Sequence, residues 1–138
     1  MKCLIVCFVV LVGALAFDWD SDELKCVEEL GTDKATIERI GDRKPMPIDN
    51  QKFNEFTECS WKKQGLIKKD GTINWDEIHE VILGGVEEKQ GRNKNKQAAE
   101  NAARRLVNPC RNITGTTRGQ TAVKIHNCLD NQLRNYRP

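Results

Sequence analysis

The chain has 138 residues and a formal net charge of +2 at pH 7, and only 6% of its residues are aromatic. This length fits one domain and leaves no room for a second core, and the low aromatic content means that the core must rely on aliphatic side chains, alanines and covalent cross-links. The near-balanced charge gives no reason to expect a nucleic-acid partner.

The first 16 residues have the pattern of a secretory signal peptide. Lys2 provides a charged start, residues 4–12 are apolar, and Ala14 and Ala16 are the small residues that precede a cleavage site. We therefore expect cleavage before Phe17. The apolar run is too short to span a bilayer, and no later segment approaches the roughly 20 apolar residues of a membrane helix, so no membrane insertion is expected.

The mature domain, residues 17–138, keeps an even number of cysteines, as expected of a secreted, extracellular protein. Cysteines 3 and 7 leave with the leader, so four of the six remain: Cys26, Cys59, Cys110 and Cys128. The sequence alone allows three ways of pairing them.

Apolar residues at helical spacing predict three helices in the first half of the domain. The first covers 18–30, with acidic residues in its first turn. The second runs from Thr32 or Asp33 to Ile40 and ends before two prolines, which forbid its continuation. The third begins at Asp49 or Asn50 and ends near Gln64.

Three more helices are predicted in the second half. Asn74 caps a fourth helix, which Gly84 and Gly85 are expected to interrupt, and the polar residues 87–97 predict a hydrated connection. An alanine-rich fifth helix runs from about Lys94 to just before a proline. Its small side chains allow close packing or leave space. The sixth covers 117–133, and the result is an all-α chain of six helices without a convincing strand.

No pattern for metal or catalytic chemistry is present in the sequence. Residues 66–77 superficially resemble a calcium-binding loop, but Leu66 and Lys68 would stand at the first and third ligand positions and supply no oxygen. His79 and His126 are each alone on a predicted helix, so zinc is not expected. The carboxylates are scattered over polar faces, and we expect no cofactor and no enzymatic activity.

A glycosylation sequon, Asn112-Ile113-Thr114, lies in a predicted loop between two cysteines. A secreted loop can accommodate an oligosaccharide, so Asn112 is a candidate glycosylation site.

Charge is divided along the chain. Residues 17–91 carry 11 Lys+Arg and 18 Asp+Glu, whereas residues 92–138 carry 10 and 2. Complementarity within the molecule explains this division most simply. The alternative is a basic surface for a polyanion, formed by Arg92, Lys94, Lys96, Arg104, Arg105, Arg111 and Arg118, whose binding would weaken with salt.

Residues 53–82 carry the most specific resemblance to a known family. Their sequence, FNEFTECSWKKQGLIKKDGTINWDEIHEVI, is similar to a cysteine-bearing helix, glycine turn and amphipathic helix of the insect odorant-binding proteins, the pheromone and general odorant-binding family. The interval of 18 positions from Cys110 to Cys128 also resembles that family. The resemblance covers residues 20–135 and implies a six-helix bundle with disulfides around an apolar cavity.

Two of the six cysteines usual in that family are absent. The second would stand at about Glu55 and the fifth near Gly119, so the chain resembles the four-cysteine "minus-C" branch. The resemblance then implies pairing of Cys26 with Cys59 and of Cys110 with Cys128.

The resemblance further implies a secreted carrier that transports a small hydrophobic ligand, such as an odorant or a pheromone, with a chemosensory receptor as a possible partner. Apolar stripes on the predicted helices supply seven candidate lining residues, although such stripes also occur in a filled core. They are Phe56, Trp75, Ile78, Ile82, Leu106, Ile125 and Leu129. The alternatives are a salivary or venom relative that sequesters a host mediator or a polyanion, and a structural protein that binds nothing.

Overall fold

The computed structural model describes residues 19–92 and 95–138. The expected signal peptide and its cleavage site lie outside the described residues. Six α-helices and one 3-10 turn, Asn108–Cys110, make up this part of the chain, which holds no β-strand, in agreement with the predicted fold class. The helices are α1 (Ser21–Glu29), α2 (Lys34–Gly41), α3 (Gln51–Lys63), α4 (Trp75–Gln90), α5 (Lys96–Val107) and α6 (Arg118–Asn135).

Every helix begins at a short polar residue whose side chain accepts a hydrogen bond from a backbone N–H of the first turn. These residues are Asp20, Asp33, Asn50, Asn74, Asn95 and Thr117. Such a cap satisfies one of the free N–H groups at a helix start and contributes about 1 kcal/mol. The caps explain why the helix starts could be predicted closely from the sequence.

The expected interruption of the fourth helix is wrong, because α4 continues through Gly84 and Gly85 to Gln90. Val81, Ile82 and Val86 around the glycine pair are almost completely buried. Their burial outweighs the roughly 1 kcal/mol per residue by which glycine disfavours a helix. The polar connection therefore starts at Gly91, later than predicted.

The turn between α3 and α4 contains the segment that superficially resembles a calcium-binding loop. Asp70 is engaged within the turn, where its carboxylate accepts hydrogen bonds from the backbone N–H and the hydroxyl of Thr72 at 3.0 and 2.6 Å. Gly71 adopts a φ of 90°, which favours glycine. The loop is thus a tight turn that connects two helices.

Two hydrophobic clusters form the core. The first joins α4, α5 and α6, and the second joins α1, α2 and α3 with Val123 of α6. A disulfide between Cys26 and Cys59 ties α1 to α3, and one between Cys110 and Cys128 ties the 3-10 turn to α6. This is the pairing that the family resemblance implies.

Small residues bring two pairs of helices close together. Ala99, Ala102 and Ala103 of α5 are at most 1% exposed and pack against the first cluster, so the alanine-rich helix allows close packing rather than leaving space. In the other pair, Gly119 of α6 lies directly against the backbone of Asn54 in α3.

Candidate ligand-binding cavity

A cavity lies between the two hydrophobic clusters. Its volume is about 60 Å³, measured as the space open to the centre of a water molecule. A single water needs about 10–15 Å³, so the space exceeds one solvent molecule. The lining residues are Glu23, Met46, Phe53, Phe56, Thr57, Ser60, Trp61, Gln64, Leu66, Ile78, Val81, His126 and Leu129.

Helix α3 provides the largest part of the wall. Phe53, Thr57, Ser60 and Gln64 follow one another at intervals of three or four residues, so they share one face of the helix. Phe56 lies beside Phe53, with 6.3 Å between the ring centroids. The same helix therefore supplies both aromatic and hydrogen-bonding groups to the cavity.

The segment between α2 and α3 closes one side of the cavity with the side chain of Met46, which is 4% exposed. Asn127 of α6 fixes this segment by two hydrogen bonds to the backbone of Met46. Its Oδ1 accepts from the Met46 N–H, and its Nδ2 donates to the Met46 carbonyl, both at 2.9 Å. Because one side chain satisfies both backbone groups, Met46 is held in place without any secondary structure of its own.

His126 is a buried polar residue of the cavity wall, with 6% of its surface exposed. Its Nε2 has no hydrogen-bond partner among the described residues. Burial, assisted by the positive charge of Lys44, lowers the pKa of His126 to about 3 from its usual 6.5. The imidazole is therefore neutral at physiological pH.

Asp130 lies one helical turn after His126 and is 7% exposed. Its Oδ2 forms an ion pair with Arg134 at 2.8 Å. Burial raises the pKa of Asp130, while the nearby charges of Lys44 and Arg134 act in the opposite direction. Asp130 and His126 are thus two buried, titratable residues of α6.

The structure brings three of the seven candidate lining residues to the cavity: Phe56, Ile78 and Leu129. Ile82 and Ile125 are completely buried within the first cluster, and Trp75 and Leu106 are partly buried against it. These four also lie on inward-pointing stripes, but they pack within or against the first cluster and do not line the cavity.

The sequence reasoning missed most of the polar wall. Thr57 and Gln64 could have been found from their spacing on the predicted third helix, since they share a face with Phe53. Glu23 gave no such signal, because a glutamate is usually exposed. Met46 gave none either, because it lies outside every predicted helix and so belongs to no apolar stripe.

The other candidate residues lie away from the cavity. Asn112 and Thr114 are exposed in the loop before α6. His79 lies 2.8 Å from the Glu100 carboxylate and links α4 to α5. Among the described residues, the one cluster with possible metal ligands is Cys26, Glu29 and Cys59, and its two sulfurs are joined in a disulfide.

These features define the class of the protein: a disulfide-linked bundle of helices around a small, mostly apolar cavity. In the described part of the chain, no helix is long and apolar enough to cross a membrane. The model of the PBP/GOBP family matches residues 16–132, and the chain therefore belongs to this family of insect odorant-binding proteins. No curated protein and no solved structure matches the chain.

Proposed function

We propose that the protein is a secreted carrier that holds a small hydrophobic molecule, such as an odorant, a pheromone or another lipophile, in the cavity between α1, α3, α4 and α6. The family consists of carriers that bind small ligands rather than of enzymes. The observation that carries the proposal is the cavity itself, in which eight of the thirteen lining residues are apolar.

Burial of apolar surface supplies the affinity in this proposal. Each Å² of ligand surface removed from water contributes about 25 cal/mol, before the cost of association is subtracted. The walls formed by Ile78, Val81 and Leu129 offer only hydrocarbon to the ligand. A ligand with an extended apolar body should therefore gain most from this surface.

The experiment is calorimetric titration of the mature protein with hexan-1-ol, repeated with Val81→Phe and Leu83→Phe. Val81 lines the cavity, so the added ring should occupy the space and abolish binding. Leu83 lies on the same helix but does not line the cavity, so its variant should bind like the wild type. Absence of binding to the wild type, or equal binding by the Val81 variant, would contradict the proposal.

Secretion and glycosylation belong to the same proposal. Four cysteines in two disulfides fit an oxidising compartment, and exposure of Asn112 and Thr114 leaves room for an oligosaccharide. Secreted material from insect cells should start at Phe17 and lose mass on treatment with an asparagine glycosidase, whereas Asn112→Gln should not change mass. A chain retained with its leader would speak against secretion.

The second candidate is a polyanion-binding role for the basic half. Exposed Arg104 and Arg105 on α5 favour it, since no ion pair is seen for either in the described part of the chain. Arg118 instead pairs with Glu58 of α3 at 3.6 Å, as expected for complementarity within the molecule. Retention on heparin that salt reverses, and that is lost in the double variant Arg104→Gln/Arg105→Gln, would support this role.

A further inference from the structure

The polar residues of the cavity are not evenly distributed over its wall. Thr57, Ser60 and Gln64 form a strip along one face of α3, and Glu23 of α1 joins this strip. Gln64 donates a hydrogen bond from Nε2 to Oε1 of Glu23 at 3.3 Å. The fifth polar lining residue, His126, comes from α6. The cavity thus has a polar strip formed by Glu23, Thr57, Ser60 and Gln64.

Glu23 is the unusual member of this strip. It is 3% exposed, although glutamate is rarely buried so completely. The residue is held in this position because Cys26, one turn further along α1, is bridged to Cys59 of α3. Glu23 therefore presents a buried carboxylate at the wall of a mostly apolar cavity.

We infer that the ligand of this cavity carries a hydrogen-bond donor, an O–H or an N–H, at one end, and that Glu23 accepts from it. This inference rests on the proposed carrier function and specifies the class of ligand. The apolar body of the ligand then lies against the α4 and α6 walls, and its polar end lies on the strip.

Two members of the strip, Glu23 and Thr57, offer hydrogen-bond acceptors to the cavity, whereas Ser60 and Gln64 carry groups that can also donate. An ionised carboxylate can only accept hydrogen bonds. Thr57 uses its hydroxyl hydrogen on the carbonyl of Phe53 at 2.9 Å, so it offers only lone pairs to the cavity. An ether or ester oxygen placed beside these two groups would meet lone pairs, whereas a hydroxyl or an ammonium group would be attracted.

The test compares four ligands with equal numbers of non-hydrogen atoms: hexylamine, hexan-1-ol, methyl pentyl ether and heptane. Their affinities are measured by calorimetric titration of the mature, disulfide-bonded protein. Hexylamine and hexan-1-ol are expected to bind at least about tenfold more tightly than the ether, which is about 1.4 kcal/mol. Tighter binding of hexylamine than of hexan-1-ol would indicate that the Glu23 side chain is charged, and the reverse order would indicate that it is neutral.

Glu23→Gln keeps the size of the side chain and removes its charge. Because a charge-assisted hydrogen bond is roughly twice as strong as a neutral one, the preference for donor ligands should fall from about tenfold to about threefold. Glu28→Gln is the matched control, since Glu28 is exposed on the same helix, and it should keep the full preference. Thermal unfolding of both variants verifies that they are folded.

The outcomes separate this inference from the carrier function. Equal binding of all four ligands, or an unchanged preference in Glu23→Gln, would overturn the role of Glu23 and leave the carrier function standing. Binding of none of the four by the folded wild type would overturn both.

Discussion

Gly119 is the position at which a single methyl group should disturb the bundle most. A Cβ atom added there would lie 2.3 Å from the carbonyl oxygen and 2.7 Å from the carbonyl carbon of Asn54. These are backbone atoms and cannot rotate away. Asn54 is also held by its own side chain, which donates to the carbonyl of Ile48 at 2.9 Å. In Gly119→Ala, α3 and α6 must therefore move apart.

The expected loss of stability follows from two opposing terms. Overpacking of a close contact costs about 1–3 kcal/mol. The higher helix propensity of alanine returns at most about 1 kcal/mol, and less in a first turn. We expect a net loss of about 1–2 kcal/mol in the free energy of unfolding, which lowers Tm by about 3–6 °C for each kcal/mol in a domain of this size.

Urea and thermal unfolding of Gly119→Ala and Gly84→Ala measure this effect. Gly84 is the matched control, because it is also helical but is exposed and has no described atom within 4 Å of an added Cβ. The Gly84 variant should gain about 0.5–1 kcal/mol. If the Gly119 variant were as stable as the wild type, α3 and α6 would not meet as closely as described.

Three further predictions concern the cavity wall. Val81→Ile places a methylene group in the free space, so its free energy of unfolding should stay the same or rise by up to about 0.8 kcal/mol. Val86 is completely buried outside the cavity, so Val86→Ile should lose about 1–3 kcal/mol. Urea unfolding measures both values. Because the pKa of His126 is lowered, the unfolded chain binds a proton below about pH 6.5 that the folded chain does not bind until about pH 3. The free energy of unfolding should therefore fall by about 2 kcal/mol from pH 6.5 to pH 5, and the difference between wild type and His126→Gln separates this effect from that of neighbouring carboxyl groups. An equal dependence of the unfolding free energy on pH in the two proteins would be the contrary result. Asn127→Ala removes both hydrogen-bond partners of the Met46 backbone and should lower the free energy of unfolding by about 1–3 kcal/mol. It should also speed ligand dissociation in stopped-flow measurements. An unchanged dissociation rate would show that Met46 does not retain the ligand.

The sequence was most informative where local chemistry decides the structure. The helix starts depend on side chains such as Asn50 and Asn74 that accept from their own first turn, so they could be read without knowledge of the fold. The continuation of α4 through Gly84 could not be predicted, because it depends on the packing of that helix against distant parts of the chain.

The same reasoning explains why the cavity was only partly predicted. An inward stripe shows that a residue is buried, but it does not show whether the residue meets another side chain or free space. Ile78 and Ile82 are one turn apart on α4 and are 2% and 0% exposed, yet only Ile78 lines the cavity. Periodicity cannot reveal this difference, because it depends on which distant parts of the chain pack against each residue.

The closeness of α3 and α6 bears on the two further cysteines that the family resemblance led us to expect. Their expected positions, near Glu55 and Gly119, are brought together by the fold, since Gly119 lies against the residue before Glu55. A glycine at this place allows the helices to approach more closely than a side chain at residue 119 would permit. The space for a bridge is therefore filled by backbone. Direct packing of Gly119 against the Asn54 backbone thus joins α3 and α6 at this place without a covalent cross-link.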